Sequence, residues 1–500
     1  MSDTGDPWNG WKPLLDELER RQTRARAMGG PERVARLLHG RGKLDARQRI
    51  DHLFDPGSFV EIGALVGGEE IPADALVAGF GRIDGRIALA GAEDFSVLGG
   101  SIGLGSMAKR YRLCQLAAQE RVPLVMMLDG AGHRLTSSLH GGGGRAPNDL
   151  LALADLSGQV PMVCLVLGAS AGHGALTAPL SDITIMSEGA AMFTGGPPLV
   201  RAATGEDVTK EELGGPVVCA EIAGTAHNVA PDDAAAIALA RRYLSYFPAN
   251  RWEPAPRRDG PDTAPRRLEE ILQRMPANDR RPYRMHPVLE ELVDSGSLFE
   301  VQPRYGRSLI CALAFLGGRS VAILANNPAV RAGAVDSPAA IKAMDFIATA
   351  DAFGLPLVFL ADNPGVMAGT QAERDGILKW SGKMFKAQRR ARVPKLHVTL
   401  RKSFGFGSTT MAQNPFDNQT LSFAFPGVTM DAMPAVSGGR SAKLDDATQA
   451  KVEAKQRSGP WGMAQSLTYD DVIDPRELRN ALIAGLELLE GRRARRPSEA

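Results

Sequence analysis

The chain has 500 residues, 44% hydrophobic and 23% charged, with a formal net charge of +1 at pH 7. That is the composition of an ordinary soluble globular protein, long enough for two or three domains and too balanced in charge to recruit nucleic acid or a membrane through a global field. Four scattered cysteines (Cys114, Cys164, Cys219 and Cys311) lack zinc-site spacing and read as buried thiols; with a polar N-terminus and no apolar run of about 18 residues, the expected location is the cytoplasm.

Residues 1–54, rich in Arg, Leu and Glu at helical spacing from residue 11, predict an N-terminal helical arm. Residues 55–246 form a first domain, with buried strands predicted at Ile87–Ala90, Leu124–Leu128 and Val163–Leu167 and a helix at Met107–Glu120. Residues 247–287 read as a linker, broken by Pro248, Pro254, Pro256, Pro261, Pro265, Pro276, Pro282 and Pro287, with one short helix near Arg267–Arg274. The second domain, 288–500, has strands predicted at Val321–Leu324, Leu357–Leu360 and Leu396–Leu400 and a helix at Ala340–Phe353. Its tail, 441–500, reads as helix with an Arg-rich end. Short apolar runs alternating with helical stretches give an α/β class with buried strands.

The two domains are copies of one unit. Pro123 recurs as Pro356, Pro161 as Pro394, Gly85-Arg86 as Gly318-Arg319, Asp129 as Asp362, Gly132 as Gly365 and Gly172 as Gly405, always 233 positions later. One coincidence would mean little; six in one register signal a duplicated domain.

Each copy sets glycine-rich turns after strands and before helices: Asp129-Gly-Ala-Gly-His-Arg134 and Gly168-Ala-Ser-Ala-Gly-His-Gly174, then Asp362-Asn-Pro-Gly365 and Arg401-Lys-Ser-Phe-Gly-Phe-Gly407. Glycine lets backbone approach a ligand, and a helix N-terminus offers unpaired N–H groups and partial positive charge. Two such turns can grip an oxygen that gains negative charge in a transition state. The plainer reading is tight strand-to-helix packing. Gly168-Ala-Ser170-Ala-Gly172 also fits a nucleophile elbow, but its counterpart around Ser403 does not. His133 and His173 either touch substrate or cap the surface. Gly141–Gly144, after His140, is a mobile flap or a plain linker and lacks the Lys-Ser/Thr of a phosphate loop.

At these residues the sequence resembles the carboxyltransferase (β) subunit of biotin-dependent acyl-CoA carboxylases, of the propionyl-CoA and acetyl-CoA carboxylase type. The matching segments are Gly42-Lys-Leu-Asp-Ala-Arg-Gln-Arg-Ile-Asp51, Asp55-Pro-Gly-Ser-Phe-Val-Glu61, Asp94-Phe-Ser-Val-Leu-Gly-Gly-Ser101, Phe193-Thr-Gly-Gly-Pro197, Thr204–Gly215, Gly224-Thr-Ala-His227 and Pro364-Gly-Val-Met-Ala-Gly-Thr370. The resemblance implies two tandem crotonase-like (ClpP/crotonase, ββα spiral) domains. It implies a reaction in which carboxybiotin, on a separate carrier protein, gives its carboxyl group to the α-carbon of an acyl-CoA. N–H groups around Gly172, His173 and Gly174 would hold the thioester oxygen, and those around Gly405, Phe406 and Gly407 the ureido oxygen of biotin. Gly130, Ala131, Gly132, His133, Arg134, Gly195, Gly196 and Thr409 would contact the acyl-CoA; Pro364, Gly365, Gly369 and Thr370 would contact biotin. No metal is implied. The implied partners are a biotin carboxylase/biotin carboxyl carrier subunit and further copies of the chain, commonly in a hexamer that joins copy one of one subunit to copy two of another.

The chain departs from the family pattern at His133, at His173 and at Phe406, where the family carries small residues, and at Met430-Asp-Ala-Met-Pro-Ala435. His173 and Phe406 are again 233 positions apart. The alternatives are an acyl-CoA decarboxylase on the same scaffold and a catalytically altered paralogue acting as a scaffold.

Overall fold

A computed structural model describes residues 10–136, 148–413 and 419–490. The chain divides into two compact units, Met1–Leu244 and Ser245–Ala500, each built on one eight-stranded sheet.

The N-terminal unit opens with helices α1 (Lys12–Arg26), α2 (Pro31–Leu37) and α3 (Ala46–Leu53). Local sequence sets the start of α3. The Asp45 carboxylate accepts the N–H groups of Arg47 and Gln48 at 2.9 Å, and the Gln48 side chain takes the Asp45 N–H at 3.1 Å. This reciprocal cap satisfies donors a helix start otherwise leaves bare. Phe54 turns extended ahead of Pro56, which cannot continue a helix. The inner face of α3 buries Ala46, Arg49, Ile50 and Leu53.

Strands β1 (Val60–Glu61), β2 (Leu76–Ile83) and β3 (Arg86–Glu93) pair antiparallel. The sheet then runs parallel through β4 (Leu124–Gly130), β5 (Met162–Ala171) and β6 (Ile183–Ser187); β7 (Ala191–Phe193) pairs the far end of β5, and β8 (Asn228–Ala230) pairs β6. Helix α4 (Leu104–Glu120) joins β3 to β4, and α5 (Asp149–Leu156) precedes β5. Helices α6 (Pro197–Thr204), α7 (Lys210–Gly214) and α8 (Asp233–Leu244) complete the unit. Leu113, Cys114 and Ala117 of α4 and Leu153 and Leu156 of α5 share one core with Leu124, Met126 and Cys164 of the sheet; each large apolar side chain buried there contributes about 1.5–3 kcal/mol.

The C-terminal unit repeats the plan. Helices α9 (Ile271–Arg274) and α10 (His286–Leu292) lead to antiparallel β9 (Phe299–Val301), β10 (Leu309–Leu316) and β11 (Arg319–Asn326). After α11 (Ser337–Ala352) come parallel β12 (Leu357–Asn363), α12 (Thr370–Arg374), α13 (Ile377–Arg390), β13 (Lys395–Phe404), α14 (Gly405–Thr410), β14 (Leu421–Ala424), β15 (Thr429–Asp431) and β16 (Asp471–Val472). The register keeps the sequence displacement: Leu89 faces Leu124 as Ala322 faces Leu357, and both central pairs shift at the same bulge, where Gly130 meets Ser170 and Asn363 meets Ser403.

A matched pair of buried lysines extends the repeat. Lys109 of α4 donates to the carbonyls of Ala73, at 3.1 Å, and Leu76; Lys342 of α11 donates to those of Tyr305, at 2.8 Å, and Gln302, at 3.3 Å. Each long helix thus holds the turn that leads into its unit's hairpin. Burial pushes Lys109 down to about 8 and lowers Lys342 as well.

The predicted strands prove to be the apolar middles of longer ones, because the strand ends carry polar residues: Glu93, Asp129, Ser170, Asn326, Asp362 and Ser403 all lie inside strands and are buried. Segment 247–287 contributes Leu268, Ile271, Met275, Tyr283 and Met285 to the core of the C-terminal unit. The tail from 441 is not helix throughout, since β16 joins the sheet beside β14; a two-residue strand has no period of its own and is set by its partner. Among the described residues no helix is long and apolar enough to cross a membrane.

Candidate active site

Both sheets carry a buried carboxylate one residue before the end of their central strand. Asp129, next to last in β4, accepts Arg49 Nη2 at 2.9 Å and Lys43 Nζ, and Arg49 also binds Asp233 at 2.8 Å. Gly168 makes the space: a Cβ there would lie 1.8 Å from Asp129 Oδ1. Its counterpart in the C-terminal unit is Arg401, whose Nε donates to Asp362 at 2.8 Å while Nη1 donates to the carbonyls of Pro276, Asn278 and Arg281 at 2.9–3.0 Å. A buried charge needs a partner. The arm supplies it in one unit and the strand itself in the other.

Above these carboxylates lie the turns. Glu93 accepts the Asp129 N–H at 2.8 Å, and Asn326, its counterpart, accepts the Asp362 N–H at 3.1 Å. Ile102 bridges Gly132 and Arg134 through backbone bonds of 2.8 Å; Val335 does the same for Gly365 and Met367 at 3.2 and 2.8 Å. Gly172 and Gly405 both leave their strands at a φ of 53°. His173 and Gly174 then lead into a helical turn whose own bonds start at the N–H groups of Leu176 and Thr177, and Phe406 and Gly407 lie in the first turn of α14. First-turn N–H groups have no acceptor within their helix and carry the positive end of its dipole. Each unit therefore presents a pair of backbone donors beside a second glycine turn.

The remaining predicted residues fall as follows. Ala131 N–H binds the Gly99 carbonyl at 3.0 Å, and His133 is exposed. Each nitrogen of the Arg134 guanidinium makes a hydrogen bond, reaching Asp74 at 2.6 Å and Ser101 at 2.7 and 3.1 Å, so it braces its turn. Gly195 and Gly196 precede α6. The carbonyl of Thr409 accepts the Gln388 side chain of α13 at 3.1 Å. Phe406 is 38% exposed and packs edge-on against Phe385 at 5.6 Å. Pro364 lines a cavity of about 370 Å³ with Lys402, Phe404, Thr429, Val436 and Arg457. Gly365 N–H is taken by Asn363 at 3.0 Å, and Gly369 and Thr370 open α12. His140 and Gly141–Gly144 lie outside the described residues. Ser170 is fully buried inside β5, its hydroxyl unpartnered. A nucleophile elbow requires an exposed turn, which corrects that reading. Among the described residues no group of three or more His, Cys, Asp and Glu is placed to hold a metal ion.

Sequence reasoning missed a buried network under the first donor turn. His173 Nε2 lies 2.7 Å from Asp149 Oδ1; Arg110 Nε reaches Asp149 Oδ2 at 2.7 Å and continues to Glu93, at 3.3 Å, and Thr177, at 2.5 Å. Four separate elements supply these groups, so no local motif announces them. Burial pushes Glu93 up to about 7, against the pull of Arg110. Its folded value then exceeds the ordinary 4.5, so the folded state holds the proton more tightly. Stability from this group is present below pH ~4.5 and lost as pH rises to about 7, by up to about 3 kcal/mol. Glu93→Gln keeps an acceptor for Asp129 N–H and should flatten that loss, read as a smaller drop in Tm from pH 5 to pH 8. An unchanged drop would contradict the assignment.

Comparison with known proteins agrees with this architecture. The carboxyl transferase domain model matches residues 38–500. The chain is 34% identical over 495 residues to methylmalonyl-CoA decarboxylase subunit alpha of Veillonella parvula, covering 96% of this chain and 97% of that one. It is 35% identical over 496 residues to the methylmalonyl-CoA carboxyltransferase 12S subunit of Propionibacterium freudenreichii subsp. shermanii, covering 94% and 93%. The solved transcarboxylase 12S, described as a hexamer with methylmalonyl-coenzyme A and methylmalonic acid bound, superposes with a TM-score of 0.90 at 34% identity, over 98% of both chains. With its two α/β units in the crotonase-like fold, the chain belongs to the carboxyl transferase family and is an enzyme component of that class.

Proposed function

We propose that this chain moves a carboxyl group from carboxybiotin, borne on a separate carrier protein, to the α-carbon of an acyl-CoA. The observation that carries the reading is the duplicated pair of backbone donors, one pair per unit, each beside a second glycine turn. The N–H groups at His173 and Gly174 hold the thioester oxygen as it becomes an enolate, while Gly172, whose own N–H is taken by the Phe193 carbonyl at 3.1 Å, turns the chain to present them; the N–H groups at Phe406 and Gly407, presented by the matching turn at Gly405, hold the ureido oxygen. Preorganised N–H donors of this kind are worth about 3 kcal/mol each at a developing oxyanion. Gly130, Ala131, Gly132, His133, Gly195, Gly196 and Thr409 border the acyl-CoA, with Arg134 fixing the first turn from behind.

The biotin side fits the residues present. The cavity beside Pro364 has apolar walls in Phe404 and Val436 and polar groups in Lys402 and Arg457, and Gly365, Gly369 and Thr370 follow along the same segment. When bound, carboxybiotin supplies the carboxyl group and a ureido nitrogen able to take the α-proton. The protein's part is to bind, orient and stabilise charge. The reading includes a biotin carboxylase/biotin carboxyl carrier partner, a cytoplasmic location, and a homo-oligomer of the hexameric kind described for transcarboxylase 12S. The likeness to a decarboxylase subunit supports a second reading, in which the same site runs from a malonyl-type thioester toward CO2.

The test combines the chain with a biotin carboxylase/carrier protein, labelled bicarbonate, ATP and an acyl-CoA panel. Label should appear in a carboxylated acyl-CoA. CO2 release from malonyl- or methylmalonyl-CoA without ATP would favour the second reading; neither outcome would leave carboxyl transfer to acyl-CoA without support.

A further inference from the structure

We propose that His173 acts through its side chain as a general base and acid at the α-carbon of the bound acyl-CoA, giving the N-terminal unit an α-proton exchange activity that needs no biotin. The inference rests on the reading that acyl-CoA binds at the Gly172–Gly174 turn.

Geometry fixes the ring. Nε2 lies 2.7 Å from Asp149 Oδ1. An ionised carboxylate only accepts, so Nε2 carries the hydrogen and Nδ1 is left with a lone pair. Asp149 is fully buried, and its second oxygen is tied to buried Arg110 at 2.7 Å. Against burial, which raises it, hydrogen bonds from His173 and Arg110 hold the Asp149 carboxyl below the ordinary range. A histidine oriented by a buried carboxylate beside backbone oxyanion donors is the arrangement enolate chemistry requires.

The repeat shows that the fold does not need this network. In the 233-residue register, Glu93, Arg110, Asp149 and His173 are replaced by Asn326, Ala343, Gly382 and Phe406. The C-terminal unit builds the same strands, bulge and donor turn without any of the four ionisable groups. What the first copy has and the second lacks is this His–Asp–Arg–Glu chain beneath its donor turn. Asp149, Arg110 and Glu93 are positioning residues; His173 is the group that meets substrate.

In the step, Nδ1 of neutral His173 takes the α-proton of the acyl-CoA. The C–H electron pair forms the new C=C bond of the enolate, and the carbonyl pair moves onto the thioester oxygen held by the N–H donors. The imidazolium, balanced by Asp149, returns a proton to the same carbon. In D2O the proton on Nδ1 exchanges with solvent while the enolate persists, so a deuteron is returned to carbon and the substrate proton leaves in the water; no oxidant or co-reactant is consumed.

The experiment uses the full chain in D2O with propionyl-CoA and without biotin or carrier, reading α-deuterium by mass spectrometry. Exchange should exceed the buffer blank and fall at least 100-fold in His173→Gln, with Tm recorded to show that the variant folds. Added imidazole should restore part of the rate in His173→Gly. Asp149→Asn should move the acidic limb of the pH–rate profile, to which Glu93, Arg110 and Asp129 contribute the neighbouring charges. Exchange unaltered in His173→Gln overturns the proposal. So does a loss that imidazole cannot rescue and that Asp149→Asn does not shift, because a merely structural histidine would behave that way. No exchange with saturable acyl-CoA binding overturns this inference alone; no binding also overturns the reading of the turn as the acyl-CoA site.

Discussion

Replacing Arg49 with methionine should lower the stability of the N-terminal unit by about 3–5 kcal/mol, the usual cost of removing one partner from a buried ionic cluster. Arg49 is 0% exposed and joins two carboxylates, Asp129 at 2.9 Å and Asp233 at 2.8 Å, which are themselves 1% and 4% exposed. Methionine fills the volume but leaves Asp233 without its cation and Asp129 with Lys43 alone. The contrast is Arg201–Asp207, a pair 3.8 Å apart with side chains 71% and 83% exposed, where removal should cost well under 1 kcal/mol. Urea denaturation of the two variants separates the cases. A second replacement, Asp233→Leu on top of Arg49→Met, should regain part of the loss, because deleting both charges is cheaper than stranding one. A loss below 1 kcal/mol in Arg49→Met would mean that water reaches the cluster. The consequence extends beyond stability. Asp129 lies near the end of β4, directly ahead of the Gly130–Arg134 turn, so the arm that supplies Lys43 and Arg49 also fixes that turn.

What the sequence made legible follows from how local each signal is. The duplication could be read because strand register and turn placement repeat with the chain: Leu89 against Leu124 and Ala322 against Leu357 were implicit in matched prolines and glycines. The donor turns could be read because glycine takes a φ of 53° without the steric cost a side chain would add as the chain leaves a strand. The polar strand ends were not legible, since Glu93 or Asp362 looks like a strand stop until its buried partner is known. Nor was the His173–Asp149–Arg110–Glu93 chain. Its members come from a turn, α5, α4 and β3, and only the fold brings them within hydrogen-bonding distance. Segment 247–287 shows the opposite failure. Its prolines signal breaks correctly, yet breaks in regular structure do not prevent Leu268, Ile271 and Met285 from being buried.

The largest effect on activity should come from adding one methyl group where the two glycine turns of a unit meet. Gly132 has a φ of 82°, and a Cβ on it would lie 2.5 Å from the carbonyl oxygen of Ala171, immediately before Gly172. In the C-terminal unit a Cβ on Gly407 would lie 2.3 Å from Asn363 Oδ1 and 2.6 Å from the Cα and C atoms of Gly365. The clashing atoms are largely backbone, so the turns must separate. The expected stability cost is about 1–3 kcal/mol from strain and overpacking. The expected loss of carboxyl transfer is larger, about 10²–10³-fold in kcat, because donors displaced by a fraction of an ångström no longer meet the developing oxyanion. Gly382→Ala is the control: it lies within α13 with nothing within 4 Å of the added Cβ, and should leave stability equal or raise it by about 0.5–1 kcal/mol. Transfer within threefold of wild type in both Gly132→Ala and Gly407→Ala would show that the turns act only as packing. Failure of one variant alone would instead assign the rate to that unit's donor pair. Gly132→Ala should also depress the biotin-independent exchange attributed to His173, since its turn abuts the same carbonyl. Gly407→Ala should leave that exchange intact, which makes the ratio of the two activities the most direct measure of how the duplicated turns divide the reaction.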